Sequence, residues 1–416
     1  MTPRRATLWR SPDFVKLWTG QAISQIGSRI TREGLPSAAV LVLGASPLQM
    51  GILNGAAAAA VLVCGLFAGA WADRLRRRPL MIAADLGRAA LLASVPISAV
   101  LGRLAIGQLY LVAALAAVLT LLFDVSYQAY VPSLVGRDKL VEANSKLALS
   151  ESIAEVAGPG LTGVLVQLIT APRAIAFDAL SFVVSAISVC WVRRPEPPPP
   201  PAEHPHMLRE IAEGLRVCWR NPILRAMLLR SSTGLFFAGF YSSLYTLFAV
   251  RTLGLNAAAL GAIVSVGGAA SLAGALVSEK LVRRLGIGRA LIAAGIVLGL
   301  TSLLVPLAHG SVLASAAFLM AAQLGDFAWP VTNVAEISLR QSASPAHLLA
   351  RVNSAVLLAM RAAVPAGALA AGALAGHIGL RHTMFVGAAG FLLSTLFLIF
   401  SPVRRVKDVG ALGGPW

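Results

Sequence analysis

The sequence predicts an all-α integral membrane protein that crosses the bilayer twelve times, in two halves of six helices. Three observations carry that expectation. Hydrophobic residues fill 57% of the 416 positions and charged residues only 13%, about half the share usual in soluble domains. Apolar stretches long enough to cross a bilayer as a helix, about 20 residues, recur along the whole chain. The connecting segments are alternately rich and poor in Lys and Arg. A soluble globule has no use for so much apolar surface. In lipid, every backbone polar group must be satisfied within its own segment, which selects helices.

The first six spans are expected near 15–43, 48–72, 80–102, 107–131, 148–171 and 173–193. The second six are expected near 223–250, 256–280, 288–308, 311–333, 352–377 and 382–402. Many are rich in Ala, Gly and Ser, which let helix backbones approach closely where no hydrophobic force drives association. Gly267, Gly268 and Gly274 fit that role. No cleavage-site pattern follows Thr2, Pro3, Arg4 and Arg5, so no removable signal peptide is expected. Between the halves, Pro195 and Pro197 to Pro201 cannot continue a helix. Beyond them, His206 to Trp219 is predicted to form an amphipathic surface helix. Leu208, Ile211, Leu215 and Trp219 share a face, with Arg209, Glu210, Glu213, Arg216 and Arg220 between them. The expected organisation is an N-terminal half at 1–193, a Pro-rich cytoplasmic linker at 194–222 and a C-terminal half at 223–416.

A net charge of +17 would point a soluble protein toward nucleic acid. Here the basic residues sit in short runs between apolar stretches, so they report topology and no nucleic-acid partner is expected. With the N-terminus inside, 26 of the 30 Lys and Arg residues in or bordering the connecting segments fall on the cytoplasmic side. Only Arg103, Arg173, Arg251 and Arg381 fall on the other side. The positive-inside rule then places both termini in the cytoplasm.

The two halves resemble each other. The second span ends in Gly69, Asp73, Arg74 and Leu75, followed by Arg76 to Arg78. The eighth ends in Gly274, Glu279, Lys280 and Leu281, followed by Arg283 and Arg284. Leu122-Phe123-Asp124 in the fourth span answers to Leu324-Gly325-Asp326 in the tenth. Such correspondence suggests an internal duplication, as in transporters built from repeats.

Residues 69–79, with a glycine, the Asp73-Arg74 pair and a basic cluster between spans two and three, resemble the loop signature of the major facilitator superfamily. Arg76 stands where that signature often has glycine. The opening Trp9 to Phe14 with Leu17 to Gln21, together with Phe123-Asp124, Gly158-Pro159-Gly160 and Phe177 to Phe182, is similar to the branch of siderophore exporters and macrolide efflux pumps. The resemblance covers nearly the whole chain. It implies two six-helix bundles, alternating access and a small-molecule substrate, a drug, siderophore or secondary metabolite, carried outward across the cell membrane. A monomer in a lipid bilayer is expected, and with no nucleotide-binding motif in the sequence it is expected to be driven by a coupling ion, a substrate gradient or exchange. The family's proton-transfer motif has an arginine in the fourth span, and none lies between Gln108 and Pro132. An importer of the same fold is the alternative, and a transport-like sensor a remote one.

Candidate residues follow from charge at membrane depth and from the motifs. Asp73, with Gly69 before it and Arg74, Arg77 and Arg78 after it, stands where a helix enters the cytoplasm. An acid there can pair across the bundle and close the inward side; the competing reading is a solvated basic loop. Asp85 and Arg88, three apart on one helical face, either join this network or form a plain intrahelical pair. Gly158-Pro159-Gly160 is a kink that the resemblance matches to an antiporter motif, or an ordinary bend.

On the first span, Gln21, Gln25, Arg29, Arg32 and Glu33 share a face. A charge at mid-span costs about 2.5–3.5 kcal/mol, so these residues predict a polar cavity wall or a structural ion network. Arg29 and Glu33, four apart, can pair, and if they do Arg32 is left as the expected contact for an anionic or electron-rich group of the substrate. Asp124, Asp178 and Arg361 are single intramembrane charges with transport or packing roles open.

No enzyme is expected. The six histidines lie in linkers or near span ends, and no His-Glu-x-x-His, Gly-x-Ser-x-Gly or phosphate loop occurs. Cys64, Cys190 and Cys218 are scattered, so neither a metal site, a cofactor nor a disulfide framework is expected.

Overall fold

The structure, a computed structural model, describes residues 7–74, 76–136, 139–194 and 207–407, with side chains described except at 66–74, 207–209 and 346. Helices α1 (Pro12–Leu41), α2 (Pro47–Arg74), α3 (Arg77–Val100), α4 (Ile106–Val135), α5 (Leu140–Ile169) and α6 (Ala171–Cys190) come first. The short α7 (Met207–Arg220) leads into α8 (Pro222–Leu247), α9 (Ala257–Leu285) and α10 (Ile287–Leu307). Then come α11 (Val312–Gln323), α12 (Ala328–Ala343), α13 (Leu349–Ile378), α14 (Leu380–Ser394) and α15 (Leu396–Ile399). No strand occurs among the described residues.

Among the described residues, eleven helical stretches are long and apolar enough to cross a membrane. α1 is long enough too, at about 45 Å for its 30 residues. Its glutamines and its Arg29, Arg32 and Glu33 keep it outside the apolar set. The tenth expected span is longer than its apolar run suggests. α11 passes through a 3₁₀ turn at Leu324–Phe327 and continues as α12 to Ala343. The turn sits where Gly325 packs on Thr301, leaving no room for a Cβ.

The chain divides into two compact units, one of Met1–Ala45 with Ala59–His204, the other of Ser46–Ala58 with Pro205–Trp416. In the first unit α1 packs on α6 and α5, and α3 packs on α6 and α4. In the second, α8 packs on α14 and α13, and α10 packs on α14 and α12. Each main pairing of the first unit thus has its counterpart, in the same chain order, in the second. Close approach explains the small residues. Gly20, Gly27 and Gly34 recur every seven positions on α1 and meet Ser188, Ser181 and Ile175 of α6. Such spacing keeps one seam facing a neighbour over several turns. In the second unit, Gly267 and Gly274 of α9 meet Asp326 and the Phe327 backbone. The leading part of α2 also belongs to that unit, with Gly51 against Gly372 of α13.

The amphipathic helix α7 is packed by a different face from the expected one. Ile211, Gly214 and Cys218 are buried, while Leu215 and Trp219 are exposed. Gly214 sits on the Arg351 carbonyl and Ala355 of α13. The Arg351–Glu213 ion pair, at 2.6 Å, joins the same two helices. Leu208 and Arg209 lie outside the described side chains.

Candidate functional site

In the first unit, α1 carries its polar residues toward two neighbours. Gln21 is buried and donates to Ser185 Oγ of α6 at 3.1 Å. Gln25 Oε1 is buried without a hydrogen-bond partner among the described residues. Arg29 reaches α5 instead, where its guanidinium pairs with Glu155. That partner corrects the Arg29–Glu33 pairing that the spacing allowed. Position i+4 on a helix lets two side chains meet, but α5 offers a better placed carboxylate. Gly158 makes the approach possible, since a Cβ there would stand 2.6 Å from both Cβ and Cγ of Arg29. Glu33 stays within electrostatic reach of Arg32, Arg29 and Glu155, and Arg32 is exposed. The premise that left Arg32 with an uncompensated positive field therefore fails.

A second polar cluster lies deeper in the same unit. Asp85 and Arg88 form a buried intrahelical ion pair on α3, at 0% and 4% exposure. The Arg88 guanidinium is sandwiched between the rings of Phe123 and Phe182, 4.6 and 4.0 Å from their centroids. Such cation–π contacts strengthen when water is excluded. Thr120 of α4 accepts from Arg88 at 3.3 Å. Asp178 of α6 is 1% exposed, accepts from Ser181 at 2.9 Å and, with Asp124 of α4, lies within electrostatic reach of Arg88. Ser185, which accepts from Gln21, also lies beside Asp85. A continuous polar path thus runs from α1 through α6 and α3 to α4. Although α4 has no arginine of its own, α3 brings one to it.

Gly69, Asp73 and Arg74 lie outside the described side chains. Arg77 donates to the Ala129 carbonyl at 3.0 Å, and Arg78 donates to the carbonyls of Val189 and Cys190. The Arg78 bonds lie at the C-terminal end of α6, where carbonyls run out of i+4 partners, whereas Ala129 lies inside α4. Pro159 is buried within α5, and Gly160 follows it half-buried. Arg361 is half-buried on α13 and forms no ion pair among the described residues.

Three acids had escaped notice. Glu151 and Glu155, four apart on α5, carried the same signal as Arg29, a charge inside an apolar stretch. Glu336 was placed beyond the tenth span, whereas α12 carries it within the helix. There it faces Arg230 of α8 at 3.5 Å and accepts from Ser231. Glu151 and Asp124 are both exposed, lie close enough to influence each other and form no ion pair among the described residues. Two neighbouring carboxylates on membrane-spanning helices persist only where protein, water or a cation compensates them. They can therefore hold a cationic group.

Comparison with known proteins gives this arrangement a context. The family model described as Major Facilitator Superfamily matches residues 17–368. The multidrug efflux pump Tap of Mycolicibacterium fortuitum is 27% identical over 383 residues, covering 89% of this chain and 91% of Tap. Macrolide efflux protein A of Streptococcus pyogenes is 28% identical over 220 residues, 52% of this chain and 53% of that protein. Among solved structures, a bacterial homologue of the iron transporter ferroportin in an inward-facing state aligns with a TM-score of 0.73 at 18% identity, covering 95% of this chain and 99% of the other. The nucleoside transporter NupG aligns with a TM-score of 0.70 at 12% identity, covering 93% and 98%.

Proposed function

The chain belongs to the major facilitator superfamily, and we propose that it is a secondary active exporter of small molecules working by alternating access. In this reading, α1 completes the eleven apolar stretches to twelve crossings in two six-helix bundles. Both termini and the linker at 194–222 lie in the cytoplasm, as the Lys and Arg distribution favours. The protein sits in the cell membrane and works as a monomer. The observation that carries the outward direction is the Tap relationship, which runs through nine-tenths of both chains. Asp73 with Arg74, Arg77 and Arg78 is proposed to close the cytoplasmic side, and Gly158-Pro159-Gly160 to let α5 bend during the cycle.

The substrate class follows from charge. In the first unit Asp124 and Glu151 are exposed and unpaired among the described residues, while Arg29 and Arg88 are already engaged. This favours a cargo with a basic, cationic group over the anionic one that Arg32 alone suggested. Asp124→Asn, measured in intact cells as efflux normalised to folded protein, is expected to slow a cationic substrate about tenfold and a neutral analogue by less than about twofold. Equal losses for both substrates would remove Asp124 from the binding of cargo. Greater accumulation in expressing cells than in cells lacking the protein would favour import.

A further inference from the structure

The second unit carries a groove that the transport reading does not use. It encloses about 430 Å³ and is walled by two helix faces, within the size range of small-molecule sites, about 300–1,000 Å³. Pro222, Arg225, Ala226 and Leu229 recur at helical spacing on α8. Leu393, Leu396, Phe397 and Phe400 recur at the same spacing across α14 and α15. The groove is therefore apolar along its length and has one cation, Arg225, at the end where α8 begins.

Three features select its occupant. Arg225 is exposed and forms no ion pair among the described residues. It stands in the first turn of α8, the positive end of a helix dipole, which Asn221 caps by accepting from the Ile223 and Leu224 amides. Ser401 and Pro402 close the same end, and the exposed Arg404 and Arg405 follow them. Basic residues beside a membrane-crossing helix attract anionic headgroups, each contributing about 1 kcal/mol. We infer that the groove binds an anionic phospholipid, with its phosphate at Arg225 and an acyl chain along Leu229, Leu393, Phe397 and Phe400. A zwitterionic lipid brings its own cation to Arg225 and fits less well. A free phosphate ester has nothing to lay against the apolar walls.

The test uses the full-length protein purified in a neutral detergent, titrated with phosphatidylglycerol or with phosphatidylcholine of the same acyl chains. Lipid retention is read by native mass spectrometry and stability by thermal unfolding. Phosphatidylglycerol is expected to be retained and to raise the unfolding temperature more than phosphatidylcholine does. Arg225→Gln should weaken phosphatidylglycerol binding about fivefold. Phe397→Gln, which keeps the cation but makes a wall polar, should weaken it as well. Arg404→Gln, which removes a cation outside the groove lining, is expected to weaken it by less than Arg225→Gln does. All three positions are exposed, and gel-filtration profiles verify that each variant folds. Equal effects of the two lipids, unchanged binding in Arg225→Gln, or an equal loss in Arg404→Gln would overturn the site. Glycerol 3-phosphate matching phosphatidylglycerol would do so too, by showing that the apolar walls take no part.

Discussion

In the first unit, Arg88 stands among three aspartates from three helices; in the second, Arg230 meets a single glutamate. The backbones around them pair alike, α1–α6 with α8–α14 and α3–α4 with α10–α12. The charges do not follow that repeat. Arg88 is on the third helix of its unit, and Arg230 is on α8, which packs as α1 does. A duplicated scaffold has therefore kept its packing surfaces while its buried charges diverged. Packing constrains whole helix faces, because close contact is felt along every turn. A buried charge needs only one compensating partner, so it can settle at different heights and on different helices. The first unit is the more acidic, and the proposed cargo-binding carboxylates lie there.

The sharpest way to break this comparison is to remove each arginine. Arg88→Leu strands Asp85 and Asp178 in a dry site and loses two ring contacts. A cost of about 3–5 kcal/mol is expected, enough to deplete folded protein. Arg230→Leu strands only Glu336 and should cost less, and Glu336→Gln in the same protein should recover most of the loss. Thermal unfolding of detergent-solubilised protein decides between them. If Arg230→Leu proves the costlier, the greater electrostatic weight of the first unit is wrong.

A smaller effect separates two kinds of glycine. At Gly274 an added Cβ would collide with the Phe327 backbone carbonyl, which cannot move away cheaply. At Gly158 it would meet the stem of Arg29, which is flexible. Overpacking typically costs about 1–3 kcal/mol. Gly274→Ala should fall at the upper end in thermal unfolding and Gly158→Ala at the lower. Gly158→Ala should also slow transport by displacing Arg29 from Glu155. Transport unchanged in a folded Gly158→Ala protein would show that the Arg29–Glu155 contact is not needed in the cycle.

The smallest effect contrasts two thiols. Cys190 is exposed at the end of α6, whereas Cys218 is buried on the inner face of α7. Burial pushes the Cys218 thiol up to about 11. The thiolate is the reactive form, so at pH 7–8 a maleimide should modify Cys190 and spare Cys218, which gains reactivity only as the pH rises toward 11. Fast modification of Cys218 at pH 7 would mean that α7 is not docked on its inner face.

Much of the scaffold was legible in the sequence because length and apolarity are local properties. The long helices lie close to where hydropathy placed them, and the surface helix was expected at 206–219 and lies at Met207–Arg220. Partners were harder to read. Arg29 and Glu33 satisfied the i+4 rule, yet α5 supplied Glu155, a contact across 126 positions that periodicity cannot reveal. The face of α7 was misjudged because Leu215 and Trp219 are apolar, while Gly214 packs by being small. Glu336 was missed because the apolar run ends near position 333, whereas α12 continues to Ala343.

The central claim is outward transport, and inside-out membrane vesicles test it most directly. Their interior corresponds to the outside of the cell, so an exporter loads them. Vesicles carrying the protein are predicted to accumulate a cationic substrate against its gradient when an ion gradient is imposed, and vesicles carrying Asp124→Asn to do so far more slowly. Accumulation confined to right-side-out vesicles, with none in the inside-out preparation, would contradict the account.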